Sequence, residues 1–214
     1  MAGAVWNAAP ALLSFLARDF SSGSDARWLV RRAKRKSKNT VPGLRRVRVL
    51  ELGAGTGVVA IGVAGMAASS PTPIDVVATD VPNALDLIRL NVENNRLLLH
   101  EAPDSISVTH LSWGSEAARQ TTGTHGPFDL VLISDCTYRA DLFDMLKATL
   151  KRVLRGKVPA LLAHSVRVPD ESDLNRVLLH FNRDGLRATR LRRYWLPETA
   201  GEKCVDIVSI VLGG

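Results

Sequence analysis

At 214 residues, with 46% hydrophobic and 23% charged residues, the chain suits one domain with a sizeable core and has an ordinary globular composition. The formal net charge is +7, but ten of the 28 basic residues lie between Arg27 and Arg48, where there is no acid. The remainder holds 18 basic against 21 acidic residues, so basicity belongs to one segment and not to the fold. No stretch approaches the run of about 18 apolar residues that a membrane span requires, and no membrane association is expected.

Residues 1–16 are rich in Ala and Leu with no Lys or Arg before Arg18, so they lack the basic start of a secretory signal and read as helix. The spacing of Leu12, Leu13, Phe15 and Leu16 predicts a helix over 8–20. Ser21-Ser22-Gly23-Ser24 interrupts it, and a second helical run is expected from near Asp25. Residues 34–43 are polar and basic and end in Pro42-Gly43, which predicts a loop. The basic segment 27–48, with its loop over 31–46, reads either as a solvated face or as an address signal or contact for RNA or an acidic partner.

Residues 47–52 (VRVLEL) predict a first strand running into Gly53-Ala54-Gly55-Thr56-Gly57, with a helix over 58–68. A second strand, 74–79, ends at Asp80, and Leu85, Ile88 and Val92 set helical spacing over 84–95. A third strand is expected at 106–111. A fourth, at 130–134 (LVLIS), is bare of charge as a central parallel strand is. A helix over 142–154 with Lys and Arg towards its end, a fifth strand at 160–164 and a helix over 172–181 follow. Extended runs at 188–195 and 205–212 finish the order. Strands alternating with helices predict an α/β, Rossmann-like fold: a seven-stranded, mostly parallel sheet with helices on both faces. Residues 196–204 are too few for a helical crossover, so the last two strands are expected to form a C-terminal antiparallel hairpin. Without internal repeats, residues 1–214 read as a single domain.

Gly53, Gly55 and Gly57 stand directly between a strand and a helix, where a tight turn leaves bare backbone for a ligand to lie against. A dinucleotide fingerprint wants Gly or Ala at position 58, which is Val58 here. A third glycine at 57, with Glu51 two residues ahead of the first, is instead the arrangement of S-adenosylmethionine sites. Asp80 closes the second strand 23 residues after Gly57, where an acid accepts hydrogen bonds from ribose hydroxyls. It is also placed to cap the helix beginning near Pro82.

With these motifs the chain resembles the family-16 (seven-β-strand) methyltransferases, whose best-known members methylate protein lysines. The resemblance runs from Gly3-Ala4-Val5-Trp6-Asn7-Ala8-Ala9 through ELGAGTG at 51–57, VATD at 77–80, the Leu/Asn run at 87–95 and Leu111-Ser112-Trp113-Gly114. It reaches Ser134-Asp135-Cys136-Thr137-Tyr138, which matches the family's Asp-x-x-Tyr motif after the fourth strand. It implies S-adenosyl-L-methionine as methyl donor, bound by Trp6, Glu51, Gly53, Ala54, Gly55, Gly57, Asp80, Trp113 and Ser134, with Trp113 against the adenine. It implies Asp135 and Tyr138 as the residues handling a lysine amine, Asp135 by accepting its hydrogen bonds and Tyr138 by walling the channel and offering an oxygen to the amine. The three-residue spacing would set both on one face of a helical turn, although Asp135 is also a possible helix cap. Relative to the family the stretch before Trp6 is short and the basic loop long.

A protein substrate and a protein-lysine N-methyltransferase are therefore expected. A small-molecule N-methyltransferase and a non-catalytic cofactor-binding protein are the alternatives. A nucleic-acid base methyltransferase would carry an Asn/Asp-Pro-Pro-aromatic motif where this chain has Asp135-Cys136-Thr137-Tyr138, so nucleic acid is not the expected partner. Cys136 and Cys204 lack metal-ligand neighbours, and His100, His110, His125, His164 and His180 are scattered, so no metal is expected. The thiols are expected to be reduced in a cytoplasmic, and also nuclear, monomer.

Overall fold

The computed structural model describes residues 5–21, 46–68, 73–99, 105–155, 158–167, 171–197 and 204–213. The helical run expected from near Asp25, the loop 34–43, and Gly3 and Ala4 of the opening motif lie outside these residues. In chain order the elements are α1 (Ala8–Ser21), β1 (Val47–Leu52), α2 (Val58–Ala68), β2 (Ile74–Asp80), α3 (Pro82–Asn94), β3 (Ile106–His110), α4 (Ser115–His125) and β4 (Leu130–Ser134). Then come α5 (Phe143–Val153), β5 (Ala160–Val166), α6 (Ser172–Phe181), β6 (Leu186–Trp195) and β7 (Cys204–Leu212). Single 3-10 turns at Arg96–Leu99 and Ala140–Leu142 precede β3 and α5.

The strands form one seven-stranded sheet in the order β3-β2-β1-β4-β5-β7-β6. The first five are mutually parallel, while β7 runs antiparallel to both β5 and β6. The expected α/β, mostly parallel sheet with a C-terminal antiparallel hairpin is the observed fold. Burial explains the charge-free strands: β5 is buried along its whole length and β4 in all but its last residue. Leu12, Val59, Ala60, Val76 and Ile88 belong to the core on one face, covered by α1, α2 and α3. Phe128, Phe143, Leu150, Val177 and Phe181 belong to the core on the other, under α4, α5 and α6.

Helix α4 has no counterpart in the sequence reading. Its sequence, SEAARQTTGTH, carries no apolar stripe, because the buried positions are Ala118, Thr121 and Thr122. The threonines become tolerable on a core face by donating to carbonyls one turn back, Thr121 Oγ1 to Ala117 at 3.1 Å and Thr122 Oγ1 to Ala118 at 2.7 Å.

This order turns the chain in opposite directions from β1 and β4, which lie side by side. The loops leaving their carboxyl ends diverge over opposite faces, and open sheets of this kind hold ligands in the crevice between such loops.

Candidate functional site

That crevice is a cleft of about 530 Å³, within the range of small-molecule sites. Trp6, Gly53, Gly55, Asp80, Trp113 and Ser134 line it together with Asp135 and Tyr138, so eight residues singled out from sequence come together there.

One end is built by the loop after β1. Gly53, Gly55 and Gly57 have φ of +69°, +58° and +77°, a left-handed backbone that residues with a Cβ rarely adopt. At Gly53 there is a second reason. A Cβ would lie 2.6 Å from Cys136 Sγ and 3.3 Å from Trp113 Cζ2, so only a bare backbone fits between them. The Gly55 amide donates to Asp80 Oδ2 at 2.7 Å, and the Val81 amide donates to Asp80 Oδ1 at the same distance. Asp80 thus locks the loop to β2, and each carboxylate oxygen keeps a second lone pair for a ligand. It does not cap α3, whose N-cap is Val81 with no side-chain bond.

Glu51, Ala54 and Gly57 stand apart from this cleft. Glu51 and Ala54 border a side cavity of about 50 Å³ that also touches Trp6, Gly55 and Ser134. Glu51 is 1% exposed and accepts the Ala60 amide at 3.0 Å, beneath the first turn of α2; burial pushes its carboxyl up to about 8. Gly57 faces α3, where a Cβ would come within 3.0 Å of Ile88 Cγ2, so its bare backbone serves packing between two helices.

The other end is built by the turn after β4. Asp135 departs from the helical turn expected of the Asp-x-x-Tyr spacing: its φ is +54°, left-handed, and residues 135–138 form a bend and a turn. Nor does it cap a helix, since α5 begins after Leu142. The Asp135 amide donates to Ala163 O at 2.9 Å, and Arg167 Nη2 holds Asp135 Oδ2 at 2.6 Å. Asp135 is buried at the cleft floor, whereas Tyr138 is 46% exposed at the rim. Between them, the buried Cys136 thiol donates to the carbonyls of Leu52 and Ser134, both at 3.4 Å. Burial, and then the neighbouring Asp80 and Asp135 charges, push this thiol well up, so it stays protonated as a structural tie between the two loops. Thr137 Oγ1 lies 2.7 Å from Nδ1 of the fully buried His164, whose imidazole is held neutral chiefly by desolvation.

Arg167, Cys136, Leu111, Ser112, Val81, Leu142 and Met145 also line the cleft and were not among the residues expected from sequence. Arg167 had a signal. It follows β5 directly at its carboxyl end, the position rule that picks out Asp135 after β4. Among the described residues, no cluster of His, Cys, Asp or Glu is arranged to hold a metal ion.

A family model described as "Lysine methyltransferase" matches residues 1–178. The chain is 31% identical over 140 residues to the protein N-lysine methyltransferase METTL21A of Danio rerio, covering 65% of this chain and 59% of that protein. The corresponding Mus musculus protein is 35% identical over 135 residues, covering 63% and 57%. The chain therefore spans less than two thirds of these curated relatives. Among solved structures, a precorrin-6y C5,15-methyltransferase from Geobacter metallireducens superposes with a TM-score of 0.52 at 14% identity, over 78% of this chain and 80% of that one, a likeness of fold.

Proposed function

Because the chain belongs to this lysine methyltransferase family, we propose that it transfers a methyl group from S-adenosylmethionine to the side-chain amine of a protein lysine. One observation carries the reading: a bare-backbone glycine loop tied to Asp80 and a turn bearing Asp135 and Tyr138 open into the same cleft. S-adenosylmethionine, when bound, supplies an electrophilic methyl group on a positively charged sulfur.

The residues present fit that donor. Gly53 leaves a cradle that a Cβ would fill, Trp6 and Trp113 offer two aromatic faces, and Asp80 has lone pairs left for sugar hydroxyls. Asp135 orients the incoming amine from the floor, and Tyr138 walls its path from the rim with its ring and offers it the phenol oxygen. The amine lone pair forms the new N–C bond, the C–S electron pair stays on sulfur, and the proton left on the methylated nitrogen goes to solvent. No covalent bond to the protein is needed, so the residues act by orientation and by managing charge. The apolar lining of Leu111, Leu142 and Met145 disfavours a charged group beside it, which favours the neutral, reactive amine.

The test is tritiated-methyl labelling of a cell extract with the purified protein, followed by protease or nuclease digestion. Label released as methyl-lysine supports the reading, and label lost to nuclease, or none transferred, refutes it.

A further inference from the structure

Building on the lysine-amine reading above, we propose that Arg167 is the specificity-determining residue of the acceptor end: it neutralises Asp135, so that the pocket rejects an alkylammonium ion and admits the neutral amine. The difficulty it resolves is physical. A lone carboxylate facing a lysine stabilises the ammonium form, which has no lone pair with which to attack. A carboxylate already balanced by a fixed cation still accepts a hydrogen bond from a neutral amine and offers no net charge to an ammonium ion.

The geometry is built for that task. Arg167 Nη2 lies 2.6 Å from Asp135 Oδ2, a charge-assisted contact, and the guanidinium lines the cleft. Its Nη1 donates to Ser165 O at 3.2 Å, and its own amide donates to Asp173 Oδ2 at 3.2 Å. Asp173, itself buried, is held in turn by Arg176 at 2.7 Å, with His164 Nε2 3.3 Å away. The cation is therefore anchored at both its side chain and its backbone, and Asp135 is anchored through the Ala163 carbonyl. Of the remaining titratable groups around the cleft, Cys136 and Tyr138 flank Asp135 on its own turn, and Asp80 stands at the donor end. None of them supplies a second cation to Asp135.

The experiment titrates n-butylammonium chloride, a minimal mimic of the lysine side chain, into the full chain at pH 7 and follows it by ligand-observed NMR. The wild type, Arg167→Gln, Arg167→Met and Arg167→Lys are compared. Two neutral replacements are used so that one that folds poorly does not decide the result, and a thermal melt of each separates misfolding from altered binding. Both neutral variants should bind n-butylammonium about tenfold more tightly than wild type, the gain expected from one uncovered and partly screened charge. Arg167→Lys should stay near wild type, and adding Asp135→Asn to Arg167→Gln should abolish the gain. Unchanged or weaker binding in both neutral variants, or a gain that survives Asp135→Asn, overturns the proposal. Failure of the lysine methyl-transfer reading would instead appear in the wild type, as no affinity for S-adenosylhomocysteine and no label on protein.

Discussion

The amide of Gly55 donates to the carboxylate of Asp80 at 2.7 Å, joining the loop after β1 to the end of β2. The same carboxylate takes the Val81 amide, so one side chain shapes two backbone turns at the donor end. Preorganisation of this kind lowers the ordering cost of binding.

Replacing Asp80 by Ala should therefore act twice. Calorimetry should show affinity for S-adenosylhomocysteine falling at least about 30-fold, as a charged acceptor for the sugar and the loop's anchor disappear together. Stability should fall by about 1–3 kcal/mol, because two amides lose their acceptor. Asp80→Asn, which keeps one carbonyl oxygen, should lose less of both. An affinity within about threefold of wild type in Asp80→Ala would remove this residue from the donor site.

Gly53 is confined by Cys136 as well as by its φ of +69°. Gly53→Ala should cost about 2–4 kcal/mol in urea unfolding, combining left-handed strain with the overlap of its Cβ on Sγ. Cys136→Ala removes the overlapping atom but leaves the strain. In the double variant about 1 kcal/mol of the penalty should be recovered, and a double-mutant cycle reads that coupling directly. Additive losses would mean that the two residues do not compete for the same space.

The acceptor end should separate from the donor end in solution. Asp135→Asn should lower methyl transfer to extract protein by about 100-fold and Tyr138→Phe by about tenfold, since each removes an orienting group. Affinity for S-adenosylhomocysteine should stay within about threefold, because neither residue contributes to the loop that binds the donor in this reading. A parallel collapse of both quantities would place Asp135 in donor binding instead.

What was legible in the sequence tracks how local the physics is. The strand VRVLEL, its glycine turn and Asp80 could be read because alternating strands and helices fix their order, and the turn demands residues without a Cβ. The hairpin followed from a connection too short to cross over. Helix α4 was missed because its buried face is made of Ala and Thr, whose hydroxyls are satisfied by the helix itself and show no hydrophobic period. The left-handed backbone of Asp135 was not legible, since the contacts made there, its amide to Ala163 of β5 and its carboxylate to Arg167 just beyond β5, come from 28 and 32 residues away. Glu51 shows the reverse: its spacing relative to the glycines pointed at the cleft, while the fold turns its side chain under α2.

That burial of Glu51 carries a pH prediction. Its carboxyl is raised from the ordinary 4.5 to about 8, first by desolvation, with the Ala60 amide opposing and the Asp80 charge adding. Between these values the folded protein holds a proton that the unfolded chain has released, so unfolding loses a proton and stability falls as pH rises. The contribution is whole below about 4.5 and gone once the pH passes about 8. His164 works the other way: burial lowers its imidazole below the ordinary 6.5, so the unfolded chain takes up the proton first and stability is lost as pH falls below that value. The two slopes oppose each other on the acid side, where His180, also lowered by burial, acts with His164; among the described residues Glu51 is the group whose raised value spans about 6.5 to 8. The thiols of Cys136 and Cys204, both raised from 9.0, act only above that window. Urea unfolding of the wild type should therefore weaken from pH 6.5 to 8 by at most about 1.4 kcal/mol per unit. Glu51→Gln keeps an oxygen for the Ala60 amide and has no proton to lose, so its stability should be flat across the same interval and overtake the wild type near its upper end. A wild-type curve already flat between pH 6.5 and 8 would mean that this carboxylate ionises as readily in the folded protein as in the unfolded chain.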